Sequence, residues 1–170
     1  MRLAVFALFL CLLCACTQAQ PRPDDTAPRP QPWQASGKTF TLRHGGVLKL
    51  GGRTLQMTGL MRLDTGANRA DVAIFNPFGL KLAVLGVTPK RTEIRQISPM
   101  ARRIPHFAQQ AGAVVRTLFL QAASPTEVPS VQYRGVRRID HFSFPETTTY
   151  TEPQHGYTVI LRLKDGQVHD

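Results

Sequence analysis

The chain has 170 residues, 42% hydrophobic and 19% charged, which suits one globular domain and excludes a disordered or collagen-like chain. All three cysteines, Cys11, Cys14 and Cys16, fall near the start, which excludes a disulfide-stapled core and leaves no thiol chemistry to the rest. The net charge of +10 is of the kind that accompanies nucleic-acid binding, a partner that the N-terminal address argues against.

That address is Met1-Arg2, then an apolar run from Leu3 to Ala15. The run is shorter than the ~20 residues a membrane-spanning helix needs, and it has the charged start and small-residue end of a secretory signal. Leu13-Cys14-Ala15-Cys16 reads as a lipobox, with residues 1–15 removed and Cys16 lipidated. An ordinary cut after Ala19, at Thr17-Gln18-Ala19, is the other reading. Two or three acyl chains on Cys16 would give a firm membrane anchor. Thr17 stands where an aspartate would signal inner-membrane retention, so the expected place is the outer membrane, facing the periplasm. Losing Arg2 with the signal leaves 20 Lys and Arg against 11 Asp and Glu. In that compartment the anionic partners are lipid head groups or an acidic protein; a merely solvated basic surface is the alternative.

Residues 17–35 carry Pro21, Pro23, Pro28, Pro30 and Pro32 and no apolar periodicity, so 16–35 is expected to be a lipidated tether ahead of a domain over 36–170. Fully extended, such a tether reaches ~60 Å at ~3.1 Å per residue. Trp33 is either the first packed residue or an interfacial anchor.

From Phe40 the pattern has period two. Phe40, Leu42, Leu48 and Leu50 mark one strand, with Gly45-Gly46 and Gly51-Gly52 read as turns. Leu55, Met57, Gly59, Met61 and Leu63 share one face of the next strand, and residues 64–68 turn. Ala70, Val72 and Ile74 alternate up to Phe75, and Asn76-Pro77-Phe78-Gly79 turns again. Leu80 to Val87 is nearly all apolar, as in a strand buried on both faces. Thr88-Pro89-Lys90 leads into a strand over 92–97. The period then changes. Ile104, Phe107, Ala111, Val114, Leu118 and Ala122 recur at helical spacing, with Gln109, Gln110 and Arg116 opposite, so the spacing predicts a helix from Pro105 to Ala122, ended by Pro125. Its single apolar stripe must lie on the sheet. Val136 to Phe144 reads as a further strand, 147–156 as a polar loop, and Tyr157 to Leu163 as a last strand ended by Asp165-Gly166. The expected class is α+β, an open antiparallel half-barrel with one main amphipathic helix on its concave face.

No histidine pairs with another at metal-ligand spacing, and no nucleophile, phosphate or dinucleotide motif occurs. Asp140-His141 and Glu152 with His155 are the suggestive neighbours, the first pair pointing to opposite faces if it lies in a strand. No enzyme activity, metal or cofactor is expected. Phe78 stands out because a hairpin tip has no structural need of an aromatic. It either folds under its loop or points outward into a bilayer or an apolar partner.

Taken together, the lipobox, tether, meander, a strand running Ala73-Ile74-Phe75 into Asn76-Pro77-Phe78-Gly79, and a helix opening at Ile104-Pro105 resemble LolB, the outer-membrane lipoprotein receptor family. The likeness spans about Phe40 to Lys164 and is nearest to short LolB-like lipoproteins, some associated with aryl-polyene lipid clusters. It implies a half-barrel whose hollow takes acyl chains, and a protruding apolar residue on the Asn-Pro-(apolar)-Gly loop that helps deliver cargo into the membrane, a role that falls on Phe78. Leu55, Met57, Met61, Phe107, Val114 and Leu118 are the residues expected to line the hollow, or to fill a solid core of the same composition. One helix, where the family has a fuller lid, implies a smaller hollow. The function implied is binding of acyl chains and transfer of lipidated cargo at the inner leaflet of the outer membrane, loaded by a periplasmic carrier protein, with Arg102, Arg103, Arg137 and Arg138 as candidate head-group contacts. The alternative is a non-catalytic adaptor with a filled core that docks a protein through its basic surface.

Overall fold

A computed structural model of the chain describes residues 32–121 and 129–169. The expected signal peptide, Cys16, most of the tether and Pro125 lie outside the described residues, while the helix expected to reach Ala122 already ends at Phe119, where Leu120 turns extended.

Five strands follow one another as hairpins: β1 (Thr39–Leu50), β2 (Arg53–Asp64), β3 (Arg69–Phe75), β4 (Lys81–Val87) and β5 (Thr92–Ile97). β1 and β2 pair along their whole length, from Thr39 opposite Asp64 to Leu50 opposite Arg53. Gly51 and Gly52 close this hairpin with φ of 54° and 75°, the left-handed pair that a two-residue turn requires. Two helices follow, α1 (Pro99–Arg102) and α2 (Phe107–Phe119), then β6 (Ser130–Ile139), β7 (Phe142–Glu152) and β8 (Tyr157–His169).

The strands form one antiparallel sheet in the order β5-β4-β3-β2-β1-β8-β7-β6. First and last strands therefore sit together in the middle, and β5 and β6 are the two open edges. Between β5 at one edge and β6 at the other, the described chain runs from Ser98 to Gln121. That path carries α2 across one face of the sheet. Ser98 caps α1, its Oγ accepting from Ala101 N at 3.2 Å, with Pro99 at the first helical position.

Alternation in β1 puts Phe40, Leu42, His44, Gly46 and Leu48 on the buried side, with Met61 and Leu63 of β2 and Ala70, Val72 and Ile74 of β3 beside them. α2 lays Phe107, Val114, Val115 and Leu118 on this face. It approaches β5 closely at Gly112, where a Cβ would lie 2.1 Å from Thr92 Oγ1. Arg116 donates to Thr88 O and Thr92 Oγ1, both at 3.3 Å, and Asn68 exchanges two 3.0 Å hydrogen bonds with the backbone of Gln121. One end of the core is filled by aromatics: Trp33 stacks on Phe144 at 4.9 Å and leans on Phe119 at 6.0 Å, while Phe40 meets Phe142 and Phe144 edge-on.

Several sequence expectations are corrected. Trp33 is only 2% exposed, and its turn, Pro32–Ala35, belongs to the folded body, which begins ahead of residue 36. Gly45-Gly46 is no turn; both residues continue β1, and Gly46 is small because a Cβ there would come 2.9 Å from Met57 Cγ across the hairpin. Val136 to Phe144 is two strands, not one. Asp140 takes a left-handed φ of 55° and turns the chain between β6 and β7, so Asp140 and His141 sit at a hairpin tip. Most of the supposed loop over 147–156 is strand, its β-branched Thr147-Thr148-Thr149 run pairing with both β6 and β8. β8 runs past Asp165-Gly166 to His169, with a register shift at Arg43/His44 that admits Lys164 as an extra residue. α2 starts two residues late because His106 is left-handed at φ 55°.

Candidate functional site: an apolar hollow beside a projecting phenylalanine

Beyond the aromatic end, the face under α2 is not filled. A hollow of about 80 Å³ lies between the helix and the sheet. The sheet contributes His44, Gly46 and Leu48 from β1, Met57, Gly59 and Met61 from β2, Val72 and Ile74 from β3, and Tyr157, Val159 and Leu161 from β8. The helix contributes Phe107, Gln110, Ala111, Val114, Val115 and Phe119. Two of these positions are glycines at neighbouring places in the ladder, Gly59 opposite His44 and Gly46 opposite Met57. At Gly59 an added Cβ would meet nothing within 4 Å, so the space there exists for want of a side chain.

Of the residues the sequence pointed to, Met57, Met61, Phe107 and Val114 line this hollow. Leu55 and Leu118 do not. Leu118 is buried at 4% exposure in the solid core, and Leu55 packs against that core from the Gly51-Gly52 end of β2. Sequence reasoning missed Gln110, placed on the far side of the helix. It lies about 60° round the helix from Phe107, at the margin of the stripe. His44 was missed too, because reading Gly45-Gly46 as a turn broke the alternation of β1 beside it, whereas Tyr157, Val159 and Leu161 were legible as the alternating apolar residues of the last strand.

His44 is buried and meets the Phe119 ring edge-on at 5.5 Å. Burial pushes its pKa down to about 4, so the imidazole is neutral at pH 7. Burial likewise raises the Tyr157 hydroxyl, and that of Tyr150 stacked 6.0 Å away, so both stay protonated. No lysine, arginine, aspartate or glutamate lines the hollow among the described residues. The space is uncharged and nearly all apolar.

The hairpin tip Asn76-Pro77-Phe78-Gly79 leaves β3 two residues past Ile74. Asn76 is buried, and its Oδ1 accepts from Phe78 N at 3.0 Å and Leu80 N at 2.9 Å. Gly79 N donates to Asn76 O at 3.0 Å, with Gly79 at φ 80°. This ties the loop down from inside and leaves Phe78 projecting, 88% exposed. Leu80, 60% exposed, and Met100 on α1, 50% exposed, are further large apolar residues at this end, where Ser98 N bonds to Leu82 O. Lys81, Arg102 and Arg103, all exposed, neighbour them in sequence. Arg137 donates to Lys164 O at 2.7 Å and lies 3.8 Å from Glu146; with Arg138 it belongs to β6, the edge strand on the opposite side of the sheet from the β3–β4 tip.

The two acid–histidine neighbours make no larger constellation. His141 Nδ1 is 2.6 Å from Asp140 Oδ2 on an exposed turn. Glu152 accepts from Tyr150 OH and Gln154 N, both at 3.3 Å, while His155 lies against the Tyr157 ring. Among the described residues no group of three or more His, Cys, Asp or Glu could hold a metal ion, and no helix is long and apolar enough to cross a membrane. No protein-family model matches the chain, and no curated protein matches it.

Proposed function

We propose that the protein is a lipid-anchored envelope lipoprotein of LolB-like type that takes an acyl chain into the hollow under α2 and helps pass lipidated cargo into a membrane. On this reading the sheet is the family's open half-barrel and α2 its lid. No bond is made or broken. The observation that carries the reading is the vacancy at Gly59, an unfilled apolar space between α2 and the sheet. Natural interiors hold few voids larger than a water molecule.

Burying a chain there is worth ~0.8 kcal/mol per methylene. The resting hollow is smaller than the ~150 Å³ cavity that admits benzene, so it receives the end of a chain, and a longer stretch requires the adaptable side chains Met57 and Met61 to move aside. Phe78 is the membrane-entering residue, at the end of the sheet where α2 begins. Leu80 and Met100 widen the apolar tip, and Lys81, Arg102 and Arg103 suit an anionic lipid surface.

A transfer assay tests this reading. The wild-type chain takes up a fluorescent diacylated peptide and releases it to liposomes. Phe78→Glu takes it up but does not release it, and Gly59→Leu takes up none. Undiminished uptake by Gly59→Leu would show that the chain does not enter this hollow.

A further inference from the structure

Among the described residues two buried side-chain polar atoms lack a hydrogen-bond partner, Trp33 Nε1 and Gln110 Oε1. Trp33 lies in the aromatic end of the core, between Phe144 and Phe119. Gln110 lines the hollow. A carbonyl oxygen withdrawn from water and given no donor is costly, and such groups in folded proteins call for an explanation. Oxygen is an acceptor, so whatever completes it must donate. We propose that the ligand of the hollow bears an uncharged hydrogen-bond donor, a hydroxyl or an amide N–H, which binds Gln110 Oε1. This rests on the acyl-chain reading and adds the polar chemistry of the ligand to it.

Three features of the site agree. The lining offers no cation to a carboxylate, and His44 is neutral, so a free carboxylic acid would have to leave its charge outside. Gln110 lies one turn into α2, whose first residue follows the Ile104-Pro105-His106 turn at the Phe78 end of the sheet. His44 and Phe119 lie at the far end of the helix, nine residues and ~13 Å further along it. The polar group is therefore held near the membrane-facing end, and the apolar tail runs inward toward His44. An amide-linked or hydroxylated acyl chain has this layout; a hydrocarbon or a simple ether does not.

Two isomers separate the donor from everything else: 1-octanol and methyl heptyl ether have the same atoms and nearly the same apolar surface, and only the alcohol donates. Each would displace the neutral fluorescent probe N-phenyl-1-naphthylamine from the full-length chain carrying Cys16→Ser. The expected result is about tenfold tighter binding of the alcohol, the scale of one buried hydrogen bond to an otherwise unsatisfied acceptor. Gln110→Met, which keeps the length and apolar contacts of the side chain, is expected to reverse the order, because the alcohol then gives up more hydration than the ether. Equal or weaker binding of the alcohol by the wild-type chain would overturn the inference, as would a preference that survives Gln110→Met. Displacement by neither isomer would overturn the acyl-chain reading and this inference with it; displacement by both alike would overturn this inference alone.

Discussion

Gly59→Leu gives opposite signs for a hollow and for a packed core. In the structure a Cβ at residue 59 meets no atom within 4 Å, and the space beyond it amounts to about 80 Å³. Cavities cost ~24 cal/mol per Å³ in engineered cores, so erasing this one is worth at most ~2 kcal/mol. Replacing a strand glycine removes a further entropic cost of about 0.5–1 kcal/mol. For a domain of this size a gain of ~2 kcal/mol raises Tm by roughly 5–10 °C. The variant is therefore expected to be more stable than the wild type and to have lost acyl-chain uptake. Differential scanning calorimetry, with probe binding measured on the same samples, reads both. Overfilling a well-packed core instead costs about 1–3 kcal/mol. A fall in Tm on Gly59→Leu would mean the space is not there, and unchanged uptake would mean the ligand goes elsewhere.

Other perturbations bear on separate parts of the account. Phe78→Glu removes an 88% exposed side chain, so Tm should stay within about 1 °C, while liposome association of the unlipidated chain falls by about tenfold or more, read by flotation; equal flotation of both forms would remove Phe78 from the membrane. His44 has a folded pKa of about 4 against an unfolded value of 6.5. Between those values the unfolded chain binds a proton that the folded one does not, so this residue's contribution is complete above pH 6.5 and falls by up to ~3 kcal/mol as pH drops to about 4. Urea unfolding of wild type and His44→Leu across that range should differ in slope by this amount, and parallel slopes would show His44 titrating normally. Cys16→Ser is expected to move the protein from the membrane fraction to the soluble one, with loss of the lipid mass increment; retention in membranes would leave the anchoring to another feature.

The outline of the fold was legible wherever a single physical signal dominated. Period-two burial located β1 to β5, and the three-to-four spacing located α2. Boundaries failed where two signals competed. Gly45-Gly46 looked like a turn because glycine usually marks one, but these glycines sit where Met57 of β2 and Lys164 of β8 come close to β1 from either side. The 147–156 stretch looked polar and loop-like because threonine counts as polar, although its β-branched shape suits a strand with one face in water. The turn at Asp140-His141 was hidden because the alternation of β6 continues in phase through it into β7. Of the site, Met57, Met61, Phe107 and Val114 were found from their periodicity, and so was the inward place of Gly59. Gln110 was not, since an amide at the margin of an apolar stripe looks the same from sequence whether it faces water or a cavity. Nor does composition separate a filled core from a hollow one, because the difference lies in what the glycines leave empty.

Native mass spectrometry of the Cys16→Ala chain lacking residues 1–15, before and after mixing with a diacylated peptide, tests the central claim most directly. A one-to-one adduct that survives high salt and is absent from Gly59→Leu is the expected result. No adduct under any loading condition would contradict the account and leave a solid domain whose basic surface docks an envelope protein.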